Sequence, residues 1–414
     1  MRIRKLAFFF KILFLLQILA GICYITEDYA SNERTESVNQ IEDNRREKCA
    51  TNGKLVDNIK RLDILDKTCK RLGYVEDKDS TKIRAHMSPN LKVLYCRVNK
   101  CASTVTLELL KQLFNCDTEC LIKVADRVRF NINAREIMYN AFSFMVVREP
   151  YGRLFSTYCN IFYFPKEDWI YRGTKVIKLT RLNISYDSLT YGHDLTFAEL
   201  VKYTVDTFEA GNTLDEHVRP MHHKSCNPCS FKFDYIAHLE TLQTDFDYIF
   251  NKLQNEKVIE RYPKDILISL QNWTTFGPIK HLFRTIPLLR GSNISLYQVY
   301  LRAWCYFQIT GRVLNTIDFP YKKSDDFYIV KEDFIIELSK AMKASLLYKD
   351  KLMKQKVEAM VQAYSTISNE YMERLSKVLL GDCLLFGYEL KPAYLFKANT
   401  SYKTNLSFDY FKGL

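Results

Sequence analysis

Glycine is scarce in this chain, 13 of 414 residues, which excludes a collagenous or linker-rich protein. None of it falls in the segment VNKCAST at residues 98–104, so the GxxxxGK[ST] loop of the nucleotide triphosphatases is missing there. Zinc-finger spacing, an RNA-binding aromatic signature and a basic low-complexity arm are also lacking, which disfavours nucleic-acid binding. No segment repeats at solenoid or propeller periods. No linker divides the later part of the chain, so one large domain with accessory segments is expected.

Hydrophobic residues make up 47% and aromatics 14%, with 27 Tyr and 27 Phe, a composition too apolar for disorder and suited to a packed α/β or α+β body. The 60 Lys and Arg exceed the 48 Asp and Glu by a net charge of +12, so anionic partners are expected: a nucleotide, a sulfated glycan or a lipid surface.

Arg2, Arg4 and Lys5 precede an apolar run over residues 6–25 that only Lys11 and Gln17 interrupt. About 20 helical residues match a hydrocarbon layer roughly 30 Å thick, and the basic flank is expected to stay cytosolic. The layout read from this is a cytosolic tail 1–5, a transmembrane signal anchor 6–25 of type II topology, and a lumenal remainder. A cleaved signal peptide is the alternative. Sequons at Asn183, Asn272, Asn293, Asn399 and Asn405 agree with the secretory route. So do the twelve cysteines; with Cys23 inside the apolar run, eleven remain, an odd number.

Residues 26–90 are charged and short of apolar periodicity and read as a stem, part of which Cys49 and Cys69 can pin. At Leu91 the composition changes. LKVLYCRV (91–98) reads as a buried strand, and Leu107, Leu110 and Phe114 give helical spacing over 104–114. FSFMVV (142–147) is an apolar run typical of a central parallel strand, and Pro150 opens a helix. FDYIAHLE (233–240) is a third strand, followed by a helix from Asp245 with Thr244 as its cap. The stripe from Val357 to Val378 predicts one long amphipathic helix. Alternating strands and helices predict an α/β fold with a mostly parallel central sheet flanked by helices.

The loop 99–103 joins a strand to a helix amino terminus, whose free N–H groups and dipole favour a phosphate or sulfate. Lys100 adds a charge, and Ser103 and Thr104 add hydroxyl donors; alone, the pattern is more often an ordinary helix cap. VVREPYGRLFST places Arg148 at a strand end and Ser156 in the helix beyond, where an arginine fork can hold a second phosphate. The alternative there is an ion pair among Arg148, Glu149 and Arg153. CNPC at Cys226 and Cys229 is weak for zinc without a second pair, and disulfides to other cysteines are expected; Cys116 and Cys120 carry the same expectation.

YCRVNKCAST (95–104) and VREPYGRLFSTY (147–158) together resemble the two motifs with which Golgi carbohydrate sulfotransferases bind 3'-phosphoadenosine 5'-phosphosulfate (PAPS). HVRPMHHKSCNPCSFKFDYIAHLETLQTDFDYI (217–249) and CLLFGY (383–388) are similar to blocks of the chondroitin and dermatan 4-O-sulfotransferase branch. The likeness covers 91–388. Asn99 stands for the usual proline, Glu149 for aspartate and Val218 for tryptophan, and KCAST is nearer the uronyl 2-O-sulfotransferase form. That branch places its base histidine between the two motifs, and no histidine lies between Lys100 and Arg148, which favours the 4-O-like branch.

The resemblance implies a P-loop-like sulfotransferase fold, a catalytic domain at 91–390, a C-terminal tail at 391–414, and residence in the Golgi membrane with the catalytic part lumenal. It implies PAPS as sulfuryl donor, held by Lys100, Cys101, Ala102, Ser103 and Thr104 at the 5'-phosphosulfate and by Arg148 and Ser156 at the 3'-phosphate, with no metal. It further implies in-line transfer to a glycan or glycosaminoglycan hydroxyl, with Lys100 and loop amides countering the developing charge. His217 is the implied base, ahead of His222, His223 and Glu216. A uronyl 2-O-sulfotransferase and an inactive, membrane-anchored glycan-binding homologue are the alternatives. The acceptor and the oligomeric state stay open.

Overall fold

A computed structural model describes residues 36–73, 85–116, 122–123, 140–222, 227–263, 265–325, 328–396 and 408–412. The expected anchor at 6–25 lies outside them. No helix among the described residues is long and apolar enough to cross a membrane.

The chain forms two compact units, Met1–Leu55 and Val56–Leu414. In the first, the described residues belong to the start of helix α1 (Glu36–Arg71). The second contains a five-stranded sheet in the order β3-β1-β2-β4-β5, made of β1 (Ala85–Met87), β2 (Val93–Cys96), β3 (Ile122–Lys123), β4 (Phe142–Val147) and β5 (Tyr235–His238). Strands β2, β4 and β5 are mutually parallel, whereas β1 runs antiparallel to both β2 and β3. The sheet is therefore mixed rather than mostly parallel: β1 follows its neighbours' register over only three residues, too few to leave a period in the sequence.

The three parallel strands are largely apolar because both faces are covered, and the buried Ser143 of β4 is satisfied by Asp234. Tyr95, Phe144, Phe246 and Phe250 fill one side, with Phe144 centred 5.1 Å from Tyr95 and 6.2 Å, edge-on, from each of the other two. After β2 comes α2 (Ser103–Leu113), after β4 comes α3 (Pro150–Thr157), and after β5 a short 3-10 turn leads into α5 (Leu242–Asn255), with α4 (Phe197–Glu209) between the last two strands. Helix α5 starts ahead of Thr244, which therefore does not cap it; its hydroxyl donates back to the Thr241 carbonyl at 2.9 Å.

A second, larger core is all helical. It gathers α6 (Ile266–Thr285), α7 (Leu296–Ile309), α8 (Lys331–Ser345), α9 (Lys349–Ser365) and α10 (Asn369–Phe386) around Tyr158, Trp169, Phe197, Trp304 and Tyr364. The helix expected over 357–378 is two: the chain breaks after α9, and Ser368 caps α10 by accepting from the Tyr371 N–H. The segment read as a C-terminal tail returns to this core, with Tyr410 1% exposed and Phe411 edge-on to Tyr163 at 5.5 Å.

The part of the stem segment that lies in the second unit packs on the sheet. Asn58 donates to the Asp234 carbonyl (2.9 Å) and accepts from the Ile236 N–H (3.1 Å), satisfying backbone groups along β5, an edge strand. Arg61 pairs with the buried Asp245 at 3.0 Å. Leu65 and Cys69 are buried in the core of the sheet and Leu62 packs against it, a short apolar stripe among charged residues. Cys69 is disulfide-bonded to Cys229, 160 residues later, so the second cysteine of CNPC serves a structural link. Cys96 and Cys116 are disulfide-bonded too, and Cys226 lies outside the described residues. Replacing Cys69 by Ser frees a very long loop in the unfolded chain and is expected to lower the unfolding free energy by ~2–5 kcal/mol. Denaturant titration without reductant reads this, and an unchanged midpoint would contradict it.

Candidate functional site

Because β2 and β4 are parallel neighbours, with Cys96 level with Met145, their carboxyl ends open onto the same edge of the sheet. The two loops leaving that edge carry Lys100 and Arg148. The Arg148 guanidinium donates to the Lys100 carbonyl at 3.3 Å, so the two motifs found 48 residues apart meet in space.

The first loop reaches a phosphate-loop shape without glycine. Lys100 and Ala102 have φ of 67° and 54°, left-handed values that cost non-glycine residues roughly 1–2 kcal/mol each. Alternating left-handed residues turn successive N–H groups toward one concavity. Helix α2 begins directly after Ala102 and no side chain caps it, so neither Ser103 nor Thr104 takes up its free amino-terminal N–H groups. Ser103 is buried and Thr104 exposed. Cys101 is fully buried with its sulfur 3.7 Å from Met221; burial pushes its thiol up to about 12, which leaves an anchor and not a nucleophile.

Lys100 is half-buried and donates to Asn160 Oδ1 at 2.5 Å. Asn160 sits in a π-helical turn, Tyr158–Tyr163, that continues α3, with Phe164 N–H bonded to the Cys159 carbonyl. Such widened turns recur at functional sites, and this one sets Asn160 between Lys100 and the Tyr306 hydroxyl. Burial, and then Lys166, Arg148 and Arg153 against Asp168, hold the Lys100 ammonium well below its usual pKa.

In the second loop Glu149 is a helix cap, accepting from Tyr151 N–H (2.9 Å) and Gly152 N–H (2.5 Å), with Pro150 in the first turn of α3. The ion pair among Arg148, Glu149 and Arg153 does not form. Arg153, 3% exposed, instead donates to the carbonyls of Asn99 (3.0 Å) and Glu216 (3.4 Å), tying the first loop to the segment that carries His217. Ser156 lies half-buried in α3. Glu240, in the 3-10 turn after β5, accepts from the Glu149 N–H and from the Tyr388 hydroxyl, both at 2.9 Å. Among the described residues none of Lys100, Arg148 and Arg153 has a carboxylate within ion-pair distance.

His217 is half-buried beside this edge, its carbonyl held by Thr157 at 2.8 Å. Asp215 Oδ1 accepts from the His217 backbone N–H (2.9 Å) and lies 2.7 Å from Nδ1. Although burial works to raise it, the bonds from His217 and the charge of Arg172 hold the Asp215 carboxyl at about 2. Asp215 is then ionised and purely an acceptor, so Nδ1 carries the proton and the Nε2 lone pair of the neutral ring is free. Burial, with Lys100 and Arg172, keeps His217 below the ordinary imidazole value in spite of Asp215. Arg172 pairs with both Asp215 and Asp168, and Asp168 with Lys166 at 3.0 Å, an alternating chain of charges behind the histidine.

The other candidate bases separate. His222 is buried and pinned by Asp382, which lies 2.6 Å from Nδ1 and accepts the backbone N–H at 3.1 Å and that of Met221 at 2.7 Å. A Cβ on Gly381 would meet the His222 ring at 2.5 Å, so this pairing also fixes a glycine in α10. His223 lies outside the described residues. Glu216 offers its backbone carbonyl to Arg153. Among the described residues no cluster of three His, Cys, Asp or Glu is arranged to hold a metal.

Asp215, Asn160, Arg153 as a bridge and Glu240 were not among the expected site residues. Only Asp215 left a usable signal, an aspartate two residues before the histidine.

Residues 84–277 match the sulfotransferase family. Carbohydrate sulfotransferase 14 of Danio rerio is 31% identical over 171 residues, 39% of this chain and 46% of that protein. Carbohydrate sulfotransferase 11 of Rattus norvegicus is 34% identical over 109 residues, 26% of this chain and 31% of that protein. Carbohydrate sulfotransferase 9 of Homo sapiens is 24% identical over 218 residues, 49% and 48% of the two chains. The matches thus span about half or less of these relatives' length. No solved structure matches.

Proposed function

Since this chain belongs, over residues 84–277, to the sulfotransferase family, we propose that it transfers a sulfuryl group from PAPS to a hydroxyl of a glycan, in the manner of the chondroitin and dermatan 4-O-sulfotransferases. The observation that carries this reading is the meeting of Lys100, Arg148 and Arg153, with no counter-ion at ion-pair distance among the described residues, at the carboxyl edge of two parallel strands. Uncompensated cations beside a half-buried loop of left-handed residues cost free energy until an anion arrives, and a doubly phosphorylated nucleotide fits that need.

PAPS supplies the sulfuryl group and a bisphosphate leaving group. Lys100 and the N–H groups of Ala102, Ser103 and Thr104 bind the 5'-phosphosulfate and counter the charge that develops at its bridging oxygen, while the Cys101 N–H turns back to the Val98 carbonyl at 3.4 Å and shapes the loop. Arg148 and Ser156 hold the 3'-phosphate. His217 accepts the acceptor hydroxyl's proton at Nε2, and Asp215 fixes the tautomer that makes this possible. The same reading places the chain in the Golgi membrane, anchored by residues 6–25, with the catalytic part lumenal; the Cys69–Cys229 disulfide supports an oxidising compartment.

The test is incubation of the full chain with radiolabelled PAPS and a panel of desulfated glycans. Label on the 4-hydroxyl of N-acetylgalactosamine is expected. Label on a uronic acid 2-hydroxyl would assign the 2-O activity instead, and binding without label would leave a glycan-binding homologue.

A further inference from the structure

Later in the chain, Lys356 lies close enough to both Arg148 and Arg312 for their charges to act on it. Helix α9 packs on α3, which follows Arg148, and on α7. At the end of α7 the chain turns through Gly311, with φ 68°, and a Cβ there would stand 2.7 Å from the Leu352 carbonyl and 3.4 Å from Lys356 Cβ. The glycine therefore permits the turn to lie against α9 where Lys356 emerges, and it sets Arg312 next to that lysine. Gln355 locks the arrangement: its amide donates to the carbonyls of Gln308 (2.6 Å) and Val313 (2.8 Å), and its oxygen accepts from Asn315 N–H at 2.7 Å. Arg312 Nη1 is buried with no hydrogen-bond partner, and among the described residues neither Arg312 nor Lys356 has a carboxylate within ion-pair distance. A buried guanidinium nitrogen left without an acceptor is costly, and a fixed turn prevents it from seeking one.

We propose that Arg312 and Lys356, beside Arg148, form an anion subsite that receives a phosphate or sulfate monoester of a bound ligand. This deepens the reading of the site as a sulfotransferase centre and rests on it. Lys356 is exposed to solvent, and its pKa is lowered, first by desolvation of the ammonium and then by Arg148 and Arg312, which agrees with three cations facing one open space. Tyr306, in α7 six residues before Arg312, receives the Asn160 amide that also holds Lys100, so the helix leading to the subsite connects to the first loop through a hydrogen-bonded chain. The monoester has two possible sources, the 3'-phosphate of the donor or an ester already present on the glycan.

Calorimetric titration of the full chain with adenosine 3',5'-bisphosphate and with adenosine 5'-phosphate, beside acceptor KM values, distinguishes them. If the subsite takes the donor's 3'-phosphate, Lys356→Ala and Arg312→Ala weaken the bisphosphate 10–100-fold and leave the 5'-phosphate unchanged. If it takes an ester of the glycan, both nucleotides bind as before and the KM for a sulfated acceptor rises 10–100-fold. Lys356→Arg keeps the charge and is expected to retain binding in either case. Unchanged nucleotide affinity and unchanged KM in both alanine variants, with unfolding midpoints equal to the parent's, overturn the proposal. Failure of the parent chain to bind the bisphosphate would instead sink the functional reading.

Discussion

Lys100→Ala is expected to lower kcat for sulfuryl transfer by about 10²–10³-fold, measured with radiolabelled PAPS at saturating acceptor. The side chain is surface enough for the fold to survive and central enough for the chemistry to fail. It bonds Asn160, faces no carboxylate at ion-pair distance among the described residues, and stands before a helix whose first N–H groups no side chain caps. A pH effect follows from its environment. Burial and neighbouring cations depress the ammonium's pKa in the free protein, and a bound anion reverses the electrostatic part of that shift. Lysine is thus protonated over a wider pH range in the complex than in the free chain. Binding of adenosine 3',5'-bisphosphate should take up a proton between the two pKa values, and affinity should fall as pH rises through that window. Titrations in buffers of different protonation enthalpy measure the uptake. The Lys100→Ala variant should lose this component; uptake that persists in it would show that another group is responsible.

The parts of this architecture that were legible in the sequence are those made by neighbours along the chain. FSFMVV is continuous, apolar and short, and it is β4 with the bounds expected of it, Phe142–Val147. Residues 91–98 are a strand only over Val93–Cys96, because Arg97 is already exposed as the chain bends toward the left-handed loop. The glycine-free loop was read as excluding an ATP-type motif, yet Lys100 and Ala102 take the conformations that glycine usually supplies. Backbone strain of that kind has no letter in the sequence; the surrounding packing, Cys101 buried against Met221 above all, imposes it. The same holds for Asn160, whose role needs a π-helical turn, and for Arg312 and Lys356, which arrive from helices distant in the chain. Helix α1 shows the opposite failure: Leu62, Leu65 and Cys69 pack it on the sheet, but this short stripe is flanked by charge and reinforced by polar contacts of Asn58 and Arg61, so its apolar period stands out little.

His217→Ala is expected to lower kcat/KM by about 10²–10⁴-fold while leaving the affinity for adenosine 3',5'-bisphosphate unchanged, because the imidazole acts on the acceptor's proton and not on the donor's phosphates. His222→Ala provides the contrast: its ring is spent on Asp382 inside the fold, so that variant should lose stability first. The two-residue step from Asp215 to His217 then allows a finer test. Asp215 raises the imidazole pKa, by its hydrogen bond and its charge, against burial, Lys100 and Arg172, which lower it. Asp215→Asn removes the raising contributions, so the pKa must fall further below the ordinary value. The acidic limb of the kcat/KM profile, which reports the free protein, should move to lower pH. The rate above that limb should drop as well, because a neutral amide no longer enforces the tautomer that leaves Nε2 unprotonated. A role confined to holding the segment in place would reduce the rate and leave the limb where it was, and a limb that moved upward would assign the proton to a different group.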